Sequence, residues 1–546
     1  MKKQLIPIFM LLSVWLNAQS IQKGLQLMDM EQYSSAQQVF EQLLQGKNSA
    51  EHHYYMGYFY AKKEDIQNAK ANFEKGLALD KKNFLNQVGL GEVKLMEGDK
   101  NAAKTIFEEA ISKTKSKNHE VLYRIGEAYL AHKTNDPYEA VRVLEMAIKL
   151  KDATFETFTM LGDAYVATQK AENGAKASQN YSFAINRTEN KNGKPLAKLA
   201  ELRLLVPKPD YTDVLQEYKK AMNADPNYTP IYRKIAELYE KADKLDSSIV
   251  YYERYMQRSE RSDEVKYKYA RYLYLTNKNA KALEEFKALD GKVKYPEFYR
   301  WYAYTLQKAG MNAEAKTMLD KFMANNPQLT FSEDYECYAN IAFATKNQEE
   351  AFSNLRKAAE KSKDVEKNVL FLERIADTLS NQEKYKEVAD TYDEILKIYK
   401  GTKQRASYQL YAGYYRIFSK EYDKAAEGLS KAIELAPDQA NPYLYYANNK
   451  VAQNNKDITE KAEALPYYTK YIEITDKYIS KAKDKEKEAN KYKDNRARAF
   501  LYMAKYQYAK KDLAKCKEFA QKVLDTKTTK TYVKEAEELL KQKSIK

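Results

Sequence analysis

Apolar residues return every three to four positions along most of this chain, in runs about a dozen residues long that short polar or glycine-bearing breaks interrupt. That rhythm predicts amphipathic helices in close succession. The stretch YYMGYFYAKKEDIQNAKANFEKGLALD, from Tyr54 to Asp80, holds two of them, and Gly57 falls in the middle of the first. A mid-helix glycine costs about 1 kcal/mol against alanine, so packing has to recover the loss.

The same spacing returns throughout: a small residue, a second small residue twelve positions on, and a bulky one four further. It occurs at Gly24/Ala36/Phe40, Gly57/Ala69/Phe73, Gly91/Ala103/Phe107, Ala270/Ala282/Phe286, Ala303/Ala315/Leu319, Ala339/Ala351/Leu355 and Gly413/Ala425/Leu429. Gly126/Ala140/Leu144, Gly162/Ala177/Tyr181 and Ala447/Ala464/Tyr468 need extra residues in the turn. Ala236/Ser248/Tyr252, Ala376/Val388/Tyr392 and Ala504/Cys516/Ala520 keep the spacing with substitutions. Small residues belong where two helices of a pair cross, and the bulky residue fills space against the next pair.

This pattern resembles the tetratricopeptide repeat, whose signature is W-x-x-L-G-x-x-Y, then A-x-x-x-F, then P over 34 residues. Ala236 and Ala270 lie one such period apart; Pro226, Pro327 and Pro437 stand at the closing position, and Tyr232, Tyr299, Tyr335 and Tyr443 replace the first tryptophan. The resemblance covers nearly all of the chain after its first residues. It implies an all-α, right-handed superhelical solenoid of about fourteen helix-turn-helix repeats. A closing helix is expected over about 531–542, from TYVKEAEELLKQ.

The expected organisation is a signal peptide over 1–18, an N-terminal array over 19–190, a central array over 191–401 and a basic C-terminal array over 402–546. A joint is expected near 190–215, where PLAKLAELRLLVPKPDYTD keeps a helix pair without the small residues, and the second helix of the thirteenth unit is expected to run long between Tyr467 and Lys493. The opening MKKQLIPIFMLLSVWLNAQS, with Lys2 and Lys3 before an apolar run from Leu5 to Leu16, reads as a secretory leader cut after Ala18, the alternative being an N-terminal helix that stays on as an anchor. The chain is therefore expected to be exported, to the periplasm or outer envelope. No other apolar stretch reaches the roughly 20 residues of a membrane span.

Composition agrees with helices: 546 residues carry only 16 Gly and 12 Pro, with 31% charged and 44% hydrophobic residues, enough apolar surface to exclude wholesale disorder. The two cysteines, Cys337 and Cys516, are far apart in helical segments and are expected to be free. Phosphate-binding loops, dinucleotide fingerprints, H-E-x-x-H, C-x-x-C and G-x-S-x-G are all missing from the sequence, and His52 and His53, adjacent on a helix, cannot form an i, i+4 ligand pair. No enzyme activity, cofactor or metal is expected.

The resemblance implies binding instead, in a concave groove lined by the first helix of each repeat. By the family's geometry, the groove positions of the eighth and ninth units are Tyr267, Lys268, Arg271, Tyr274, Arg300, Trp301, Tyr304 and Gln307, a basic and aromatic set of the residue types enriched in binding hot spots. Any one of these tyrosines could equally be a packing residue. Unit two has Tyr54 and Tyr58 where a chaperone-tail clamp would have Lys and Asn, which argues against that partner.

The formal net charge is +15, and the segment from Asn441 onward holds 25 basic against 15 acidic residues. Its centre, KAKDKEKEANKYKDNRARAF, offers Lys491, Lys493, Arg496 and Arg498 as a candidate basic surface; a solvated helix of mixed charge is the plainer reading. Two functions are thus expected: an envelope scaffold binding a protein or peptide segment, or a binder of an anionic glycan or envelope polymer. Export disfavours nucleic acid. An enzyme with an unrecognised site ranks behind both.

Overall fold

The computed structural model describes residues 21–454, 458 and 461–542. The expected leader over 1–18 lies outside them. Among the described residues the chain is all helix apart from turns: fourteen antiparallel helix pairs, from 21–29 with Tyr33–Gly46 to Lys485–Ala509 with Leu513–Asp525, then one closing helix, Tyr532–Leu540. The chain divides into two compact units, one ending at Trp301 and one beginning at Tyr302. No helix among the described residues is long and apolar enough to cross a membrane.

The recurring triplet is the core of every pair that carries it. Phe73 and Ala69 are fully buried, and a Cβ placed on Gly57 would lie 2.6 Å from the Phe73 ring. The same ring also fills the space above Gly89 of the following pair. Gly57 is therefore there to admit an aromatic ring rather than a neighbouring backbone, and Phe73 serves its own pair and the next at once. Gly24 with Phe40, Gly91 with Phe107 and Gly162 with Tyr181 repeat the arrangement.

The turn inside each pair is as regular as the core. From Glu31, seven residues beyond Gly24, to Lys511, seven beyond Ala504, eleven pairs place a left-handed residue at that offset. At Glu64 (φ 58°) the Asp65 amide reaches back to the Tyr60 carbonyl and the Glu64 amide to that of Ala61, a Schellman closure that satisfies carbonyls the ending helix would leave orphaned. Asp65 then caps the next helix by accepting from the Asn68 amide, and Asp99, Asn347 and Asp512 act alike. One short residue thus ends the turn and starts the next helix.

Two local expectations change. Over 190–215 the helices Gly193–Leu202 and Tyr211–Ala224 form an ordinary pair with small residues after all, since Ala197, Ala200 and Ala221 are buried. A longer connection, 203–210, had displaced their spacing. The long helix belongs to the fourteenth pair, not the thirteenth: Leu465–Lys481 stops at extended Ala482, and Asp484 caps a new 25-residue helix, Lys485–Ala509, through the Lys487 amide.

Candidate functional site

Within the first unit, Ser262 caps the helix Asp263–Leu275 and so sets Tyr267, Lys268, Arg271 and Tyr274 along it. Tyr267 is a core residue, stacked on Tyr295 at 5.6 Å, edge-on to Phe286 and tilted against Phe298, and burial raises its phenol pKa. Lys268 pairs with Glu264 at 3.1 Å. Arg271 is bound by Glu240, whose other oxygen accepts from the Tyr272 hydroxyl at 2.7 Å. So anchored, its guanidinium lies 5.1 Å from the Trp301 ring centre, with Tyr274 edge-on to the same indole at 5.7 Å.

Arg300 is buried, whereas Arg271, Tyr274 and Trp301 are only half-buried. In the second unit, Tyr304 is buried and donates to Asp334 at 2.7 Å, while Asp334 accepts from the Phe331 amide at 2.8 Å; Gln307 is half-buried. The four first-unit residues that keep exposed surface are thus Lys268, Arg271, Tyr274 and Trp301.

Sequence spacing gave no sign of what lies beside Lys268. The turn after the first helix reaches residues more than 200 positions away: Ser34 donates twice to Glu260, Gln32 donates to the Arg258 carbonyl at 2.6 Å, and Glu31 binds Arg233 at 3.0 Å and the Tyr255 hydroxyl. Between these contacts and Lys268 is a polar cavity of about 290 Å³, with Tyr33, Lys63 and Glu264 also on its walls. Elsewhere in this unit, Tyr58, Lys62 and Arg124 converge on buried Glu127 at 2.7, 3.0 and 2.8 Å. Burial alone would raise the Glu127 pKa, but Lys62, Arg124 and the Tyr58 hydroxyl hold it far below the usual carboxylate range. Tyr54 and Tyr58, the clamp-like positions, are packed into this cluster.

The four candidate basic residues, all in the second unit, share one helix but do different work. Lys491 is exposed and paired with Glu488. Arg496 binds Asp476 at 2.7 Å and the Thr475 hydroxyl at 2.7 Å, and Arg498 donates to the Tyr532 hydroxyl at 2.9 Å, tying down the closing helix. Lys493 lines a cleft of about 770 Å³. The histidines are held by neighbours: His52 by the Leu43 and Lys47 carbonyls, His53 by Asn48 and Asn72, His119 by Thr157 and His132 by Glu92. Cys337 and Cys516 are buried and unbridged, and burial pushes the Cys337 thiol up to about 12.

Small residue, left-handed turn and bulky residue at fixed offsets in successive antiparallel pairs make this chain an all-α array of tetratricopeptide type. Solved structures similar to it include the C-terminal part of a TPR repeat-containing protein from Cytophaga hutchinsonii, 23% identical over 50% of this chain and 100% of that one, with a TM-score of 0.37. A tetratricopeptide repeat protein from Parabacteroides merdae is 17% identical over 48% and 100% (TM-score 0.32), and yeast Tom70 13% over 74% and 96% (TM-score 0.29). No family model matches the chain, and no curated protein does.

Proposed function

We propose that this protein is a non-catalytic interaction scaffold of the bacterial envelope that binds a segment of a partner protein at the face carrying Lys268, Arg271, Tyr274 and Trp301. The observation that carries this reading is the Glu240-anchored Arg271 lying over the half-buried Trp301, with Tyr274 edge-on. Such a group is ordered before the partner arrives. Its aromatic area and guanidinium donors then come at little entropic cost. The polymer-binding alternative draws less support, because Arg496 and Lys491 already have carboxylate partners and Arg498 is engaged by Tyr532.

A photo-crosslinking residue at Tyr274 tests the reading in envelope fractions of the source cell. One protein segment should be captured there and not from a distant exposed position such as Lys287. Crosslinks to polysaccharide alone would favour the alternative. The proposed export has its own check: the purified protein should begin at Gln19, and a retained Met1 would contradict it.

A further inference from the structure

The first helix pair is held in two physically different ways. Toward the second and third pairs it is apolar: the cluster around Phe40 is made of residues from Ile21 to Met96 and, among the described residues, includes none from the sixth or seventh pair. Toward those distant pairs the bonds are polar. Asp29 binds Lys194 at 3.0 Å, Glu31 binds Arg233 and the Tyr255 hydroxyl, and Gln32 donates to the Arg258 carbonyl. Other pairs also place a charge at the turn position of Glu31, yet Glu64, Asp243, Lys346, Glu383, Lys420 and Lys511 have no ion pair among the described residues.

The helix Tyr33–Gly46 depends on this contact for its cap. Gln32 stands where Asp65, Asp99, Asn347 and Asp512 cap their helices, and its side chain makes no cap. Glu260, 226 positions away from Ser34, supplies one instead. Its carboxylate accepts from the Ser34 amide at 2.9 Å and the Ser34 hydroxyl at 2.6 Å, while the Glu260 amide donates to the Glu31 carbonyl at 3.1 Å. A carboxylate at a helix N-terminus is favoured by the helix dipole, so this cap is electrostatic as well as hydrogen-bonded.

We propose that residues 29–34 are a clasp that closes the first seven pairs and opens reversibly as one unit, with every helix pair intact. Opening leaves the apolar cluster of the first pair untouched. Glu31, Arg233 and Glu260 are half-buried and Asp29 and Ser34 exposed, so water competes for each bond and salt screens the charges. The cavity of about 290 Å³ exists only while the clasp is closed: Glu31, Tyr33 and Lys63 wall it on one side, Arg233, Glu260, Glu264 and Lys268 on the other. Clasp state thus sets the surroundings of Lys268. The clasp does not depend on the scaffold reading.

Amide exchange of the full chain, resolved by mass spectrometry to Ser34 and Glu260, tests this, because both amides are bonded across the clasp. Raising sodium chloride from about 0.05 to about 1 M should accelerate both amides about tenfold and to the same extent, relative to an unstructured peptide of the same sequence. Exchange over Phe84–Met96, in the third pair, should not change. Glu31→Gln keeps the Glu31 carbonyl but weakens the pairing with Arg233, and should accelerate both amides at low salt. Asp29→Lys, at an exposed position, should do the same by repelling Lys194, and its difference from wild type should shrink at high salt. Rates that salt or either variant leaves unchanged overturn the proposal, as does acceleration at one amide without the other. Acceleration that extends into Phe84–Met96 overturns it too, since the turn would then be part of the cooperative fold.

Discussion

At Gly57 the array depends on the absence of a single carbon. Gly57→Ala would drive a methyl into the Phe73 ring, which Gly89 of the next pair also confines, so the ring has little room to retreat. The expected loss is about 1–3 kcal/mol, and Phe73→Leu in the same chain should recover part of it, because Leu144 and Leu429 fill the same place opposite Gly126 and Gly413. Chemical denaturation of the two single variants and the double variant measures this coupling; strict additivity would contradict it. Glu127 makes a pH prediction. Its folded pKa lies below the ordinary 4.5, so its contribution is complete above that pH and is lost as pH falls below it. The first unit should therefore loosen in acid below about pH 4.5, and Glu127→Ala should cost about 3 kcal/mol at neutral pH by leaving Lys62 and Arg124 without their shared carboxylate. Thermal melting against pH reads both effects: the variant should have a flatter acid limb. The triplets were legible in the sequence because they are local and repeat. Burial of Tyr267, Arg300 and Tyr304 was not, since residue type and position on the helix are the same for a groove residue and for one that a neighbouring helix happens to cover.

Among the elements, the pairs were legible and the exceptions were not. The pair at Gly193–Leu202 and Tyr211–Ala224 was hidden by a lengthened connection, and the long fourteenth-pair helix was assigned to its predecessor because KAKDKEKEANKYKD is polar on every side and has no apolar stripe to mark the break at Asp484. The closing helix was readable from its own stripe. Tyr532, Leu539 and Leu540 pack on the last core cluster around buried Ala536, and Arg498 holds the Tyr532 hydroxyl. Deleting the chain from Thr531 onward should expose that cluster and weaken the last pair by roughly 2–4 kcal/mol. Amide exchange over Leu513–Asp525 should accelerate while that over Ala50–Lys62 stays unchanged; uniform exchange in both would contradict the pairwise account of stability.

For the whole molecule, a repeat array keeps its stability near-neighbour and additive and leaves surface positions available for partners. Contacts from the turn at Glu31–Ser34 to Arg233, Arg258 and Glu260 depart from that neighbour rule within the first unit, and sequence separation kept them out of view. The candidate site was visible only as residue types at groove positions; which of them stay exposed, and that Glu240 fixes Arg271 over Trp301, needed the packed neighbours. The most direct test of the proposed scaffold is the affinity of the segment captured at Tyr274 for wild type, Arg271→Ala and Trp301→Ala, measured by calorimetry on chains whose melting is unchanged. Each variant should bind about tenfold or more weaker, a loss of roughly 1.4 kcal/mol or above. Affinities equal to wild type in both variants would contradict the assignment of partner binding to this face.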